Sequence, residues 1–93
     1  MHCLKCEIIL RCTGVKSLKE KRSILKKVIS RIKENYNVAV IESDCNDSRE
    51  FISIGVSALS DSRDFLYDLS QKIEEYIEKN FQILVVSEDV EIF

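Results

Sequence analysis

SLKEKRSILKKVISRIKENY, residues 17–36, reads as one long amphipathic helix around which the rest of the chain is arranged. Ser17 is a good N-cap, and Glu20 three residues later completes an S-x-x-E capping box. At helical spacing Leu18, Leu25, Ile29, Ile32 and Tyr36 share one apolar stripe, widened by Ile24 and Val28. Lys19, Lys26, Lys27 and Lys33, with Ser23 and Ser30, cover much of the opposite arc. Lys21 and Arg22 fall within or beside the stripe. That is an odd place for cations, since the dipole of a first turn disfavours positive charge by about 0.3–1 kcal/mol. Either their stems cover the end of the core while the charges snorkel outward, or they converge with free first-turn N–H groups on an anion.

Upstream, Cys3 to Cys12 alternates with period two. Leu4, Cys6, Ile8, Leu10 and Cys12 fall on one face, and Lys5, Glu7, Ile9 and Arg11 on the other, as in a half-buried strand. Thr13-Gly14 supplies a turn in which glycine can take positive φ. Downstream, Asn37 to Cys45 begins a second strand, Cys45 to Arg49 is a polar turn, and Phe51 to Ser60 alternates again as its hairpin partner. Gly55 in mid-strand points to a bulge or a close backbone approach. Asp61 is expected to cap a second helix reaching about Lys79, with an acidic outer face at Glu74, Glu75 and Glu78. Phe81 to Val86 opens a last strand that runs into SEDVEIF. The order β-α-β-β-α-β, with no repeat or linker, predicts a single α+β domain over residues 1–93. Its expected form is a ferredoxin-like sandwich, with two helices on one face of a four-stranded antiparallel sheet. Right-handed crossovers place the first and third strands centrally.

The 93 residues are 45% apolar and 32% charged, ordinary for a globular domain. No apolar run approaches the length of a membrane span, and charges at Lys5, Glu7 and Arg11 interrupt any signal-like start, so a cytoplasmic protein is expected. The net charge of −2 hides a partition. Residues 1–33 hold ten Lys/Arg against two Asp/Glu, a balance of +8; residues 34–93 hold four against fourteen, a balance of −10. Part of this asymmetry is expected to be neutralised where the basic first helix lies beside the acidic second one. The remainder (Lys16, Lys19, Lys21, Arg22, Lys26, Lys27) forms a candidate phosphate-binding cluster, giving affinity for RNA without sequence choice.

Other chemistry is sparse. Cys3 and Cys6 form a C-x2-C, but on a strand they point to opposite faces, and no second pair follows. No metal or other cofactor is expected. His2 is the only histidine, and two glycines cannot build a phosphate loop, so no catalytic residues are assigned. Glu42, Asp44 and Asp47 have spacings able to gather a divalent ion, but Asp and Asn in a hairpin more often serve the turn itself. The open sheet face is expected to show Ile9, Ile41, Phe51, Ile83 and Val85, a patch that a two-fold homodimer would cover. One aromatic on that face is too few for base stacking of the RRM kind.

The segment SLKEKRSILKKVISRIKENYNVAV, followed by ESD, a short polar turn and ISIGVSALS, resembles the YlxP-like bacterial proteins, a family of unknown function. The likeness runs along essentially the whole chain, fits at Glu42, Asp44 and Asp47, and departs at Ser48-Arg49-Glu50-Phe51. It implies a small cytoplasmic ferredoxin-like domain. It also implies a link to translation, since genes of such proteins often lie among ribosome-maturation genes. The resulting expectation is a non-catalytic accessory protein that contacts rRNA or a ribosomal subunit through its first helix, with no DNA or membrane partner. The alternatives are a small-molecule-binding regulatory module of the ACT type and a protein-binding adaptor using the open sheet face.

Overall fold

The computed structural model describes residues 1–44 and 48–93. The elements run β1 (His2–Cys12), α1 (Leu18–Asn35), β2 (Ala39–Asp44), β3 (Phe51–Ser60), α2 (Arg63–Asn80) and β4 (Ile83–Ile92). All strand pairs are antiparallel, and the sheet order is β2-β3-β1-β4, so the central pair is the one the crossover rule demands. The fold is the expected ferredoxin-like α+β sandwich.

The alternation in β1 does what it promises. Leu4, Cys6, Ile8, Leu10 and Cys12 are all buried, the first four opposite Ala58, Val56, Ile54 and Ile52 of β3. Leu25, Val28 and Ile32 of α1 and Leu66, Leu69, Ile73 and Ile77 of α2 close over that face. Each fully buried aliphatic side chain contributes roughly 1.5–3 kcal/mol, and together they make one continuous core. Gly14 takes φ 77° in the β1–α1 turn, as the turn requires. Gly55 marks a close approach rather than a bulge: a Cβ there would meet Ile41 Cγ1 at 3.3 Å. The ladder's irregularities fall elsewhere, between Ile9 and Leu10 against β4 and between Glu42 and Asp44 against β3.

One local reading is corrected. Ser62, not Asp61, caps α2, its side chain accepting from the Phe65 N–H; Asp61 instead lies 3.6 Å from the chain's amino terminus. The α1 helix ends within Asn35-Tyr36-Asn37, which holds no strong helix former: Tyr36 is its C-cap, with extended backbone and its N–H donating to the Ile32 carbonyl.

The larger correction concerns β4. Ile83 and Val85 do not belong to the open face. They pair with Cys12 and Leu10, whose side chains point into the core, and directly opposed residues share a face. Ile83 is accordingly buried, and Val85 packs against the core. The open face carries Leu84 and, at the bulge between Val85 and Ser87, Val86. The bulge then resets the phase, so that Glu88, Val90 and Ile92 turn inward opposite Ile8, Cys6 and Leu4.

Candidate nucleic-acid interface

The Ser17 cap of α1 is made within the chain. The Ser17 hydroxyl accepts from the Glu20 N–H at 3.1 Å, and the Glu20 carboxylate accepts from the Lys16 N–H at 3.3 Å. These bonds satisfy the Glu20 N–H within the chain and hold the Glu20 carboxylate beside the helix start.

Along α1 the buried positions are Lys21, Leu25, Val28 and Ile32. Lys21 therefore occupies a true core position, 3% exposed, while Leu18, expected there, is 37% exposed. Its polar end is engaged within the fold. Its charge lies near Cys12 and eases ionisation of that thiol, against the burial that pushes the thiol up. Lys21 must leave the RNA-contacting set, because a side chain this enclosed cannot reach a phosphate. Arg22 and Lys16 stand in solvent, as do Lys19, Lys26 and Lys27.

Where these cations point follows from the packing. Glu20, Ser23, Ile24 and Lys27 line a cleft with Phe81 and Gln82, so this flank of α1 faces the α2–β4 turn. Helical spacing then puts Lys19, Arg22, Lys26 and Lys33 on the outer surface and the flank away from α2, a row roughly 21 Å long. Among the described residues no exposed cation of α1 forms an ion pair with a carboxylate of α2. The ion pairs seen at the surface are Met1 N-terminus–Asp61, Lys5–Glu91 and Arg11–Glu50, and among the described residues none uses an exposed cation of α1. The helices meet instead through Tyr36 and Tyr76, edge to face at 5.7 Å, and through Asn35 Nδ2 donating to the Tyr76 hydroxyl at 3.0 Å. Aromatic packing leaves the cationic row unspent.

The open sheet face is less continuous than its composition implied. Phe51, Arg11 and Leu84 form one rung and Ser53, Ile9 and Ser87 the next. Arg11, paired to Glu50, thus stands among the apolar groups. Ile41, 64% exposed, lies apart over Gly55. Glu42 is exposed on β2; Asp47 lies outside the described residues, and among those residues no three acidic, Cys or His side chains gather as a metal site would require.

One cluster was invisible in the sequence. The β4 bulge turns Glu88 under α2, where its carboxylate accepts from Gln71 Nε2 at 3.0 Å and from the Cys6 thiol at 3.7 Å. Burial, and then the charge and hydrogen bond of Glu74, push the Glu88 carboxyl up to about 7, while the Cys6 and Gln71 hydrogen bonds pull it partly back. Burial likewise pushes the Cys6 thiol up to about 12, so it is a poor nucleophile. A carboxyl whose folded pKa exceeds its ordinary 4.5 contributes stability that is complete below 4.5 and lost as pH rises through about 7. Comparison of wild type and Glu88→Gln by urea denaturation at pH 5 and pH 8 is expected to show the variant gaining at pH 8 relative to wild type. The gain should be on the order of 1 kcal/mol once solvent screening of this half-buried group is allowed for. An identical gap at both pH values would show that Glu88 is ionised throughout.

No described helix is long and apolar enough to cross a membrane. The family model "Protein of unknown function (DUF503)" matches residues 3–90. The chain is also similar to "Uncharacterized protein YlxP" of Bacillus subtilis (strain 168), with 39% identity over 59 residues, covering 63% of this chain and 62% of that protein. The chain thus spans less than two thirds of that relative's length, and neither description names an activity.

Proposed function

The chain belongs to the DUF503 family, and from that premise we propose that it is a non-catalytic cytoplasmic accessory protein that binds structured RNA or a ribosomal particle through the outer face of α1. One observation carries the reading. Lys19, Arg22, Lys26 and Lys27 are exposed, and among the described residues none of them pairs with a carboxylate. Lys19, Arg22 and Lys26 lie on the outer row and Lys27 on the flank toward the cleft, and cations so set along one rigid helix suit the regular charge of a phosphate backbone. The thiols support a role without nucleophilic catalysis, since two of them are buried and pushed up in pKa.

Contacts from these cations to RNA predict a steep salt dependence. Four phosphate contacts give a slope of log K against log salt of about −3, so affinity falls roughly fiftyfold between about 50 and 200 mM salt. Filter binding of wild-type protein to purified ribosomal subunits and to a structured rRNA fragment measures that slope. Salt-insensitive binding, or none to either, would sink the proposal.

A homodimer through the sheet face is a second reading, favoured by Ile41, Leu84 and Val86, each more than half exposed. Sedimentation equilibrium at rising protein concentration decides it, since a strict monomer throughout excludes the dimer.

A further inference from the structure

Between α1 and the turn from α2 into β4 lies a cleft of about 460 Å³, within the range of sites that hold small organic ligands. Its apolar wall includes Ile24 and Phe81, the latter half-buried and braced edge to face by Tyr76 at 6.5 Å. Thr13, Ser23 and Gln82 supply polar groups, and among the described residues none of these side chains has a hydrogen-bond partner within the chain. Lys27 stands at the rim, on the same helix as the cationic row.

We propose that this cleft receives one unstacked nucleobase of the RNA held by α1, with Phe81 as the aromatic wall and Gln82 meeting the base edge. The inference rests on the RNA reading above and adds what the RNA must present, a bulged or looped nucleotide rather than a plain duplex. An aromatic face accepts any base by stacking. A carboxamide offers a donor and an acceptor side by side, matching the alternation along a Watson–Crick edge. A phosphate gripped at Lys27 leaves its base beside the opening. The sheet face, where ferredoxin-like RNA binders place stacking aromatics, is thus replaced by the helix side of the domain.

A free nucleotide offers the same chemistry, so the test has three arms: a fully paired RNA hairpin, the same hairpin with a single 2-aminopurine bulge, and free 2-aminopurine ribonucleotide. The bulged hairpin is expected to bind roughly tenfold tighter than the paired one, the scale of one stacked base, and its 2-aminopurine emission should change on binding. Phe81→Leu, which keeps the bulk at the helix end, and Gln82→Ala, in the exposed turn, should each shrink both effects while leaving the paired hairpin's affinity unchanged. Equal affinity for the two hairpins overturns the base site but leaves the RNA reading standing. No binding to either hairpin overturns both. Saturation by free nucleotide at lower concentration than by bulged hairpin assigns the cleft to free nucleotides and overturns the RNA-bound form.

Discussion

Reversal of Lys19, Lys26 and Lys27 to glutamate together is expected to cut affinity for ribosomal subunits or structured RNA by about a hundredfold or more near 50 mM salt, with the fold unchanged. The size follows from what is removed and what is added. Three cation–phosphate contacts are lost, and three anions then stand where phosphates would lie. The salt slope should flatten with the affinity, from about −3 toward about −1, because Arg22 is the one cation of the set left in place. All three positions are solvent-exposed and among the described residues unpaired, so each replacement should shift stability by no more than about 0.5 kcal/mol. Competition binding at two salt concentrations, with thermal melts of the same samples, separates lost recognition from lost folding. Equal, salt-insensitive binding by wild type and variant would rule out α1 as the contact surface.

How far the sequence could be read depends on how local each signal is. β1, α1 and β3 carry their periodicity in adjacent residues, and each lies within a residue or so of its expected bounds. Capping at Ser17 was readable because the S-x-x-E pattern is local, whereas Asp61-Ser62 offered two competent caps in a row, and geometry chose the second. β4 failed for a physical reason. One extra residue at its bulge inverts the phase of everything beyond, and no turn residue in ILVVSEDVEI announces it. The half-buried Glu88 contact was lost with that phase, whereas Ile83, Leu84 and Val85 precede the bulge and were misread because ILVV is apolar on both faces and does not say which face turns inward. The charge of the two helices failed differently. Composition set opposite signs beside each other, but side-chain direction decides contact, and the row Lys19, Arg22, Lys26 and Lys33 of α1 points away from α2.

Replacement of Lys21 by glutamate is expected to destabilise the domain by about 3 kcal/mol or more, the largest effect of any single charge change in α1. Periodicity already placed this lysine on the apolar stripe, and the structure encloses it at 3% exposure, one turn before Leu25. A glutamate there loses the interaction that the lysine makes and sets a negative charge in a site shaped for a positive one. Lys21→Met, which keeps most of the stem's volume, should cost less than the glutamate, because no charge is left buried. Removal of the cation also withdraws the one influence that eases ionisation of Cys12, so the thiol in Lys21→Met should react more slowly with alkylating agents at pH 9 than in wild type. Urea denaturation of Lys21→Glu, Lys21→Met and the surface control Lys26→Glu measures the contrast. A small, equal cost for all three would mean that the ammonium escapes to water and that Lys21 belongs again with the phosphate-binding row. A large cost at Lys21 alone separates the two uses of lysine in this helix: one charge spent inside to fix the start of α1 against the sheet, the others kept outside for a partner.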